Sequence, residues 1–285
     1  VDNGRTLPAE EIQTEHVMVH PNLNVGGAGG FTRGMLEAMD HKEKPTHVLL
    51  MDDDVMILPE SLIRTYNLLK IVRPEYEHHF ISGAMLFYEE MNFLYEDVGF
   101  MDHEGTYGPL KDRVDTRKIE DVLRCEEIIH EPKNAYAGWW YCCIPVATIK
   151  EVQLPLPFFI HMDDIEYGIR LDCPIMTMNG IGVWHDSFEH RKASSVEYYD
   201  MRNLLTANAI HNSKYTKKQA KKRVMRHLVF QLLKYRYEDW KLTIKGVEDF
   251  CKGTDFYKTT DPVKLHQQIM QMGYQMTDQS QTLQN

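Results

Sequence analysis

The segment 47–54 joins a short apolar run to a concentrated negative charge. The run ends in three consecutive carboxylates, Asp52, Asp53 and Asp54. A short apolar run of this kind is typical of a buried strand, and open α/β sheets bind ligands beyond the carboxyl ends of their strands. Adjacent carboxylates repel one another unless a cation lies among them, and Mg²⁺ or Mn²⁺ prefers carboxylate oxygens. The segment predicts a metal-binding strand end; the alternative is a solvated acidic turn that caps a helix beginning at Pro59.

The composition narrows the function classes. Of 285 residues, 43% are apolar and 26% are charged, which is ordinary for a globular protein with a sizeable core. A net charge of −10 argues against a general nucleic-acid binder, which needs a positive surface. Five Cys residues without framework spacing favour reduced thiols, and no apolar run is long enough to span a bilayer. We therefore expect a cytoplasmic location.

Strand and helix patterns alternate along the first two thirds of the chain. A short strand is predicted at 16–20, a helix at 59–72, and further strands at 80–85 and 176–183. Alternation of this kind predicts an α/β fold with a mostly parallel sheet flanked by helices. The chain opens on what resembles the end of a strand running into a turn, so we expect a first strand before Val1.

Four glycines between 26 and 30 precede a helical pattern at 31–39. A glycine-rich turn that leads into a helix N-terminus is a ready anion site, because free N–H groups and the helix dipole point the same way. The alternative is a tight turn that packs closely on a strand.

An aromatic cluster and an acidic cluster supply further candidate site residues. Trp139 and Trp140 are either core residues or flat surfaces that pack on sugar C–H groups. The spacing of Asp163 and Glu166 matches a capping box, so we expect a helix to begin there. Asp164 then lies in the first helical turn, where it is available as a proton acceptor.

His185 follows the last predicted strand. It is either an ordinary polar residue or, if that strand end lies beside Asp54, an additional metal ligand.

The C-terminal third is predicted to be helical, with one helix at 196–211. The stretch 214–236 contains nine Lys and Arg residues and no acid. It predicts either peripheral contact with an anionic membrane or a solvated basic face over a stripe that packs on the core. The polar, Gln-rich tail at 273–285 is predicted to be disordered.

Five motifs occur in a fixed order, at 22–31, 50–54, 139–140, 162–166 and 184–185. Their order and spacing resemble the motif series of inverting GT-A glycosyltransferases of family two, and among these the bacterial galactofuranosyltransferases. The resemblance implies a Rossmann-like GT-A fold. It divides the chain into a catalytic domain at 1–205, a helical region at 206–272 and the tail at 273–285.

The resemblance also implies roles for individual residues. Asp164 would be the catalytic base, and Mn²⁺ or Mg²⁺ would be held by Asp52, Asp54 and His185. The nucleotide-sugar would be bound by Asp2, Asn24, Gly27, Asp52 and Asp53. The acceptor would be bound by Trp139, Trp140 and Asp163.

The implied activity is metal-dependent, inverting transfer of galactofuranose from its UDP donor to a glycan or lipid-linked acceptor, in synthesis of a cell-surface polysaccharide of the cell envelope. A rhamnosyltransferase with a dTDP donor is the alternative within the class. From other classes, a metal-dependent phosphotransferase or nucleotidyltransferase and a non-catalytic glycan-binding module remain as alternatives. The expected partners are the nucleotide-sugar, the acceptor and the membrane surface, without nucleic acid, and the sequence leaves room for an oligomer.

Overall fold

The computed structural model describes residues 1–111, 114–126, 134–172, 174–186 and 193–274. The chain forms two compact units that divide between residues 190 and 191. The predicted domain boundary at 205 lies within a helix of the second unit. Of the predicted tail at 273–285, residues 275–285 lie outside the described residues.

The first unit combines short strands with helices. Its helices are α1 (Ala9–Ile12), α2 (Gly26–Asp40), α3 (Pro59–Ile71), α4 (Ile119–Cys125), α5 (Val146–Val152) and α6 (Asp163–Leu171). Its strands are β1 (His47–Leu50), β2 (Met56–Ile57), β3 (Phe80–Ser82), β4 (Ala84–Phe87), β5 (Leu94–Glu96), β6 (Gly99–Met101), β7 (Tyr107–Pro109), β8 (Ala135–Tyr136), β9 (Cys142–Pro145), β10 (Ile175–Met176) and β11 (Gly182–His185).

The strands form three sheets, ordered β1-β9-β3-β10, β2-β11-β4-β5 and β7-β6-β8. The predicted α/β class is confirmed, but the prediction of a mostly parallel sheet is wrong. Among the described strands, only β3 with β10 and β4 with β11 pair in parallel. In the first sheet, β9 runs antiparallel between β1 and β3. Apolar patterning carries no information about strand direction, so β9 could not be oriented from its sequence.

The glycine-rich segment lies inside α2, which begins at Gly26, so the predicted turn before the helix is corrected. Gly26 has a φ of 78°, and a Cβ there would lie 2.0 Å from the carbonyl oxygen of Phe159. Only glycine permits this approach of two backbones. The predicted strand at 16–20 is wrong: that segment is irregular, and Asp2 and Pro21 form only an isolated bridge.

The acidic segment follows a strand that is anchored in the core. Leu50, at the end of β1, is buried in a cluster that includes Met35, Phe80 and Trp139. Helix α3 begins at Pro59, as predicted. Proline suits the first helical position because the N–H that it lacks would have no intrahelical partner there. Core packing before the acids and a helix after them therefore fix the position of the turn between β1 and β2.

The second unit is helical. Its helices are α7 (Ser195–His211), α8 (Lys217–Leu233), α9 (Tyr237–Cys251), α10 (Thr254–Thr259) and α11 (Pro262–Met272). The predicted helix at 196–211 is confirmed by α7. Helix α8 begins with a capping box in which the side chains of Thr216 and Gln219 bond each other's backbone N–H. In the described part of the chain, every helix lacks the length and apolarity that crossing a membrane requires.

A candidate metal and acid site

Three potential metal ligands meet where two strands of the first unit pair. Asp52 and Asp54 lie in the turn between β1 and β2, and His185 is the last residue of β11. Strand β2 pairs with β11, with Met56 opposite Trp184, which brings the turn beside His185. One ligand atom from each of the three side chains lies within 4.8 Å of the others. The group therefore has the spacing of a metal site.

The imidazole of His185 is oriented by its backbone neighbour. Its Nδ1 lies 2.6 Å from the carbonyl oxygen of Asp186, and its Nε2 lies 3.0 Å from Oδ1 of Asp54. When Nδ1–H donates to the carbonyl, the lone pair of the neutral ring is on Nε2. Metal-binding histidines are commonly held in this way, with the remote ring nitrogen bonded to a carbonyl or carboxylate. The Nε2 atom of His185 is thus oriented so that it could bind a cation together with Asp54.

Asp52 is electrostatically unfavourable without a cation. Its pKa is raised to about 6, chiefly by burial; the charge of His185 opposes the rise, and the charges of Asp54 and Asp53 add to it. A divalent ion would offset both the burial and the repulsion. Two carboxylates suit Mg²⁺ or Mn²⁺, and the imidazole adds a ligand that transition metals accept readily. The residues present therefore fit a divalent metal.

A second pair of acids begins α6. Oδ1 of Asp164 accepts a hydrogen bond from the N–H of Ile165 at 2.7 Å, and Asp164 also accepts one from the backbone of Trp139. Burial raises the pKa of both Asp163 and Asp164, and the charge of Asp52 raises both further. The acids of the metal group and of α6 therefore share one electrostatic environment.

The start of α6 was predicted correctly, but the capping box does not form. Met162 is the N-cap residue, with a left-handed φ of 70°. Glu166 instead pairs with Arg170, one helical turn later, at 2.6 Å. Because the carboxylate of Glu166 points along its own helix, Asp163 and Asp164 remain the acids at the helix start.

Residues predicted to bind the nucleotide lie near the start of α2. Gly27 is exposed, and a Cβ there would lie 3.9 Å from Oδ2 of Asp163, so α2 begins beside the acids of α6. Asn24 is exposed and its Oδ1 accepts the N–H of Gly26 at 3.3 Å. Asp2 is buried, and its Oδ2 accepts the N–H of Leu7 at 2.9 Å. Among the described contacts, no hydrogen bond or ion pair joins Asp2 or Asn24 to the metal group. Asp53 is exposed in the turn between its two neighbours.

Both tryptophans of the aromatic motif are buried. Trp139 is 4% exposed and packs edge-on against Phe31 and Tyr167. Trp140 is 7% exposed and its Nε1–H donates to the carbonyl oxygen of Gly83 at 3.1 Å. The rings thus contact core residues, and their acceptor-binding role stays a prediction. The segment touches the site through the backbone N–H of Trp139, which donates to Asp164.

One buried acid near Asp164 was missed by sequence reasoning. Burial, and next the charge of Asp164, raise the pKa of Glu96 to about 8. Tyr136 donates its hydroxyl hydrogen to Oε2 of Glu96 at 3.2 Å. The missed signal is a second apolar run that ends in acids, since Leu94 and Tyr95 precede Glu96 and Asp97. This pattern repeats the one at the end of β1.

The fold and the site together define an α/β protein with an acidic strand end, where Asp52, Asp54 and His185 could hold a divalent cation near further carboxylates. Comparison with known proteins gives the relatives. The chain is 29% identical over 262 residues to galactofuranosyltransferase GlfT2 of Mycobacterium tuberculosis, an alignment that covers 83% of this chain and 39% of that protein. It is 27% identical over 266 residues to galactofuranosyltransferase GlfT2 of Mycolicibacterium smegmatis, with coverage of 85% and 38%.

These similarities relate the chain to glycosyltransferases, and the chain spans about two fifths of the length of these relatives. No protein-family model matches the chain.

Proposed function

We propose that this chain carries the catalytic site of a metal-dependent, inverting glycosyltransferase of the GT-A type, in family two. The observation that supports this most is the assembly of Asp52, Asp54 and His185 in one electrostatic environment with Asp163 and Asp164. A cation-binding group near a carboxylate that can take a proton suits the transfer of a sugar to a hydroxyl.

The carboxylates of Asp52 and Asp54 and the Nε2 of His185 would hold Mn²⁺ or Mg²⁺. When bound, the metal supplies positive charge to the diphosphate that leaves the sugar. The carbonyl oxygen of Asp186 holds the His185 ring in place, so this ligand is oriented before the metal arrives.

Asp164 would act as the general base. It accepts the proton of an acceptor hydroxyl while that oxygen attacks the anomeric carbon from the side opposite the diphosphate, which inverts the configuration. Burial raises the pKa of Asp164 above its ordinary value, and a base with a higher pKa is a stronger proton acceptor. Hydrogen bonds from the backbone of Ile165 and Trp139 fix the position of its carboxylate.

The donor would lie between the start of α2 and the metal group, in contact with Asp2, Asn24, Gly27 and Asp53. The N–H groups of Gly26 and Ala28 already donate to Asn24 and Phe159, so a phosphate at the N-terminus of α2 would meet the N–H of Gly27 and the positive end of the helix dipole. Galactofuranose from UDP-galactofuranose is the proposed donor sugar, because both curated relatives are named galactofuranosyltransferases. A dTDP-rhamnose donor would use the same metal ligands and base, so a nucleotide titration has to separate the two.

The acceptor would be a glycan or a lipid-linked glycan of a cell-envelope polysaccharide, elongated on the cytoplasmic side of the membrane. Asp163 lies beside Asp164, where the attacking hydroxyl must be placed. Trp139 and Trp140 are proposed acceptor residues, although a ring face would have to become exposed first.

Calorimetric titration of UDP and dTDP, with Mn²⁺ and again with chelator, tests this proposal. We expect UDP to bind in the presence of Mn²⁺ and binding to fall below detection with chelator. Asp54→Asn should abolish this binding, and Asp40→Asn, at an exposed acid at the end of α2, should not. A preference for dTDP would favour rhamnosyl transfer, and binding of neither nucleotide would contradict the proposal.

A further inference from the structure

The chain enters helix α6 through an unusual stretch of backbone. Phe159, His161 and Met162 have φ values of 75°, 64° and 70°, in the left-handed region that residues with a Cβ rarely adopt. In the described part of the chain, nine non-glycine residues have a positive φ, and three of these lie within positions 159–162. Strain of this kind persists only where the surrounding structure enforces it, and it clusters at functional sites. We call residues 158–162 the linking segment.

Contacts hold the linking segment at both ends. Phe159 is only 6% exposed, so its ring is anchored in the interior. Its carbonyl oxygen accepts the N–H of Ala28 at 3.2 Å, and it lies so close to Gly26 that a Cβ there would be 2.0 Å away. At the other end, the carbonyl oxygen of Met162 accepts the N–H of Glu166 at 2.9 Å, within the first turn of α6. The linking segment therefore joins the start of α2 to the start of α6.

The linking segment has little conformational freedom. The left-handed region of backbone space is small, so a residue confined to it has a narrow range of φ and ψ. Three residues separate Phe159 from Asp163. Two of the three, His161 and Met162, are confined in this way. A displacement of the Phe159 carbonyl is therefore passed on to the acids of α6 rather than absorbed before them.

The acids at the start of α6 lie next to α2. A Cβ on Gly27 would be 3.9 Å from Oδ2 of Asp163. Asp164, the proposed base, follows directly, and its carboxylate accepts hydrogen bonds from the backbone of Ile165 and of Trp139. Because the donor phosphate is proposed to lie at the start of α2, the separation of the two helix starts sets the separation of donor and base.

We propose that the backbone contact between Gly26 and Phe159 positions the base. The contact fixes the start of α6 against the start of α2, and the linking segment carries that position to Asp164. Gly26 and Phe159 are positioning residues, because they act through Asp164. The inference rests on the proposed sugar transfer and adds residues to those proposed to hold the metal, the donor and the acceptor.

Gly26→Ala tests the contact directly. The new Cβ would overlap the carbonyl oxygen of Phe159, and alanine disfavours a φ of 78°, so α2 and the linking segment must separate. We expect kcat for sugar transfer to fall about a hundredfold, because a misplacement of about 1 Å at the reacting groups has an effect of that size. The Kd of UDP with Mn²⁺ should change far less, within about fivefold, because the metal group is untouched.

Gly34→Ala is the matched control within the same helix. A Cβ at Gly34 would lie 3.8 Å from Cγ2 of Val1, which is an ordinary contact, and alanine favours a helix more than glycine does. Sugar transfer and UDP binding should both stay within about twofold of the parent. An equal loss of kcat in the two variants, or an unchanged kcat in Gly26→Ala, would overturn the proposal.

Two substitutions at His161 separate the effect of the backbone from that of the side chain. Asparagine tolerates a left-handed φ, whereas valine, with its branched Cβ, does not. His161→Asn should keep transfer within about threefold of the parent, and His161→Val should lower kcat at least about thirtyfold. Binding of UDP with Mn²⁺ shows that the valine variant is folded. Equal activity of the two variants, at any level, would contradict positioning by the backbone of the linking segment.

Hydrogen exchange measures the coupling of the two helix starts without an assay of transfer. The N–H of Ala28 donates to Phe159, and the N–H of Glu166 lies in the first turn of α6, more than a hundred residues later. In Gly26→Ala, exchange at both amides should rise at least about tenfold, whereas Gly34→Ala should leave exchange at Glu166 unchanged. An increase confined to α2 would overturn the proposal even if the parent transfers sugar. A parent that transfers no sugar but shows the coupled exchange would instead refute the proposed function, while the coupling of the two helix starts stands.

Discussion

Acids that are buried or half-buried have opposite surroundings in the two units. In the first unit, Asp52, Asp163 and Asp164 lie among other acids, and burial and mutual repulsion raise the pKa of each. In the second unit, Asp249 is fully buried beside Lys245 and Lys252. Burial alone would raise the pKa of Asp249, but hydrogen bonds from the two lysines and from Tyr198 leave it below the ordinary value.

This contrast distinguishes a structural charge from a functional one. A buried carboxylate with cationic partners is satisfied by the fold and contributes to stability. A buried carboxylate that faces other carboxylates weakens the fold until a ligand neutralises it, and strongly perturbed groups of this kind cluster at functional sites. The second unit also has the buried Arg202 surrounded by aromatic rings, including those of Tyr198 and Tyr257. The charges of Asp249 and Arg202 are therefore accounted for without a ligand, whereas Asp52, Asp163 and Asp164 lie among like charges.

The largest effect is expected at the proposed base. Asp164→Asn should lower sugar transfer about a thousandfold, because general-base catalysis is worth roughly 10²–10⁴ in rate. Binding of UDP with Mn²⁺ should be kept, because Asp164 is not a metal ligand in the proposed site. Radiolabelled sugar transfer and calorimetry measure the two properties separately. A variant that still turns over at the parent rate would remove Asp164 as the base.

Neutralising Asp249 should destabilise the protein. Asp249→Asn leaves Lys245 and Lys252 without their charged acceptor, and we expect a loss of about 2 kcal/mol in the free energy of unfolding. The figure is modest because Lys252 is exposed and can be solvated. Denaturant unfolding measures this loss, and metal affinity of the folded variant should equal that of the parent. An unchanged unfolding midpoint would show that the contrast between the two units is not one of stability.

Neutralising Asp52 should have the opposite effect on stability and raise the free energy of unfolding of the metal-free protein. Asp52→Asn removes a carboxylate that burial and acidic neighbours disfavour, so the metal-free protein should gain up to roughly 1 kcal/mol at pH 8, a figure discounted for the partial exposure of Asp52. The same change should abolish stabilisation by Mn²⁺. Thermal unfolding of the metal-free and metal-loaded variant measures both, and destabilisation of the metal-free form would argue that Asp52 is a structural acid.

The smallest expected effect is a dependence of stability on pH. The folded-state pKa of Asp52, about 6, lies above its ordinary value of 3.8. The folded protein therefore binds more protons than the unfolded chain between these values, and this group lowers stability as the pH rises through that window. Metal binding needs the ionised form, so the rise in melting temperature caused by Mn²⁺ should be small near about pH 5 and should grow through about pH 6. A shift that is equal at both ends would contradict a role for Asp52 as ligand.

Much of the framework around the site could be predicted from the sequence. The apolar run before Asp52 predicted β1, Pro59 predicted the start of α3, and the acids at 163–166 predicted the start of α6. These signals are local, because a buried strand, a proline at the first helical position and acids in a first turn each act over a few residues. The proximity of His185 to Asp54 depends on the pairing of β2 with β11. From the sequence, metal binding by His185 could be predicted only on the condition that the two strand ends lie side by side.

The predictions that failed concern contacts between residues that are distant in sequence. The direction of β9 is set by its neighbours β1 and β3, and its apolar residues would suit either direction. Gly26, at the start of α2, is required by the approach of Phe159, more than a hundred residues later, so its position in a helix could not be foreseen. Glu96 was missed because its importance comes from Asp164, a residue from another part of the chain.

The most direct test of the proposed site is pulsed electron paramagnetic resonance of bound Mn²⁺ in protein labelled with ¹⁵N-histidine. The geometry predicts one coupled imidazole nitrogen, from His185, which disappears in His185→Ala while the protein remains folded. Loss of Mn²⁺ affinity in Asp52→Asn and Asp54→Asn should accompany it. A Mn²⁺ signal without histidine coupling, or one that is unchanged in His185→Ala, would contradict a metal site formed by Asp52, Asp54 and His185.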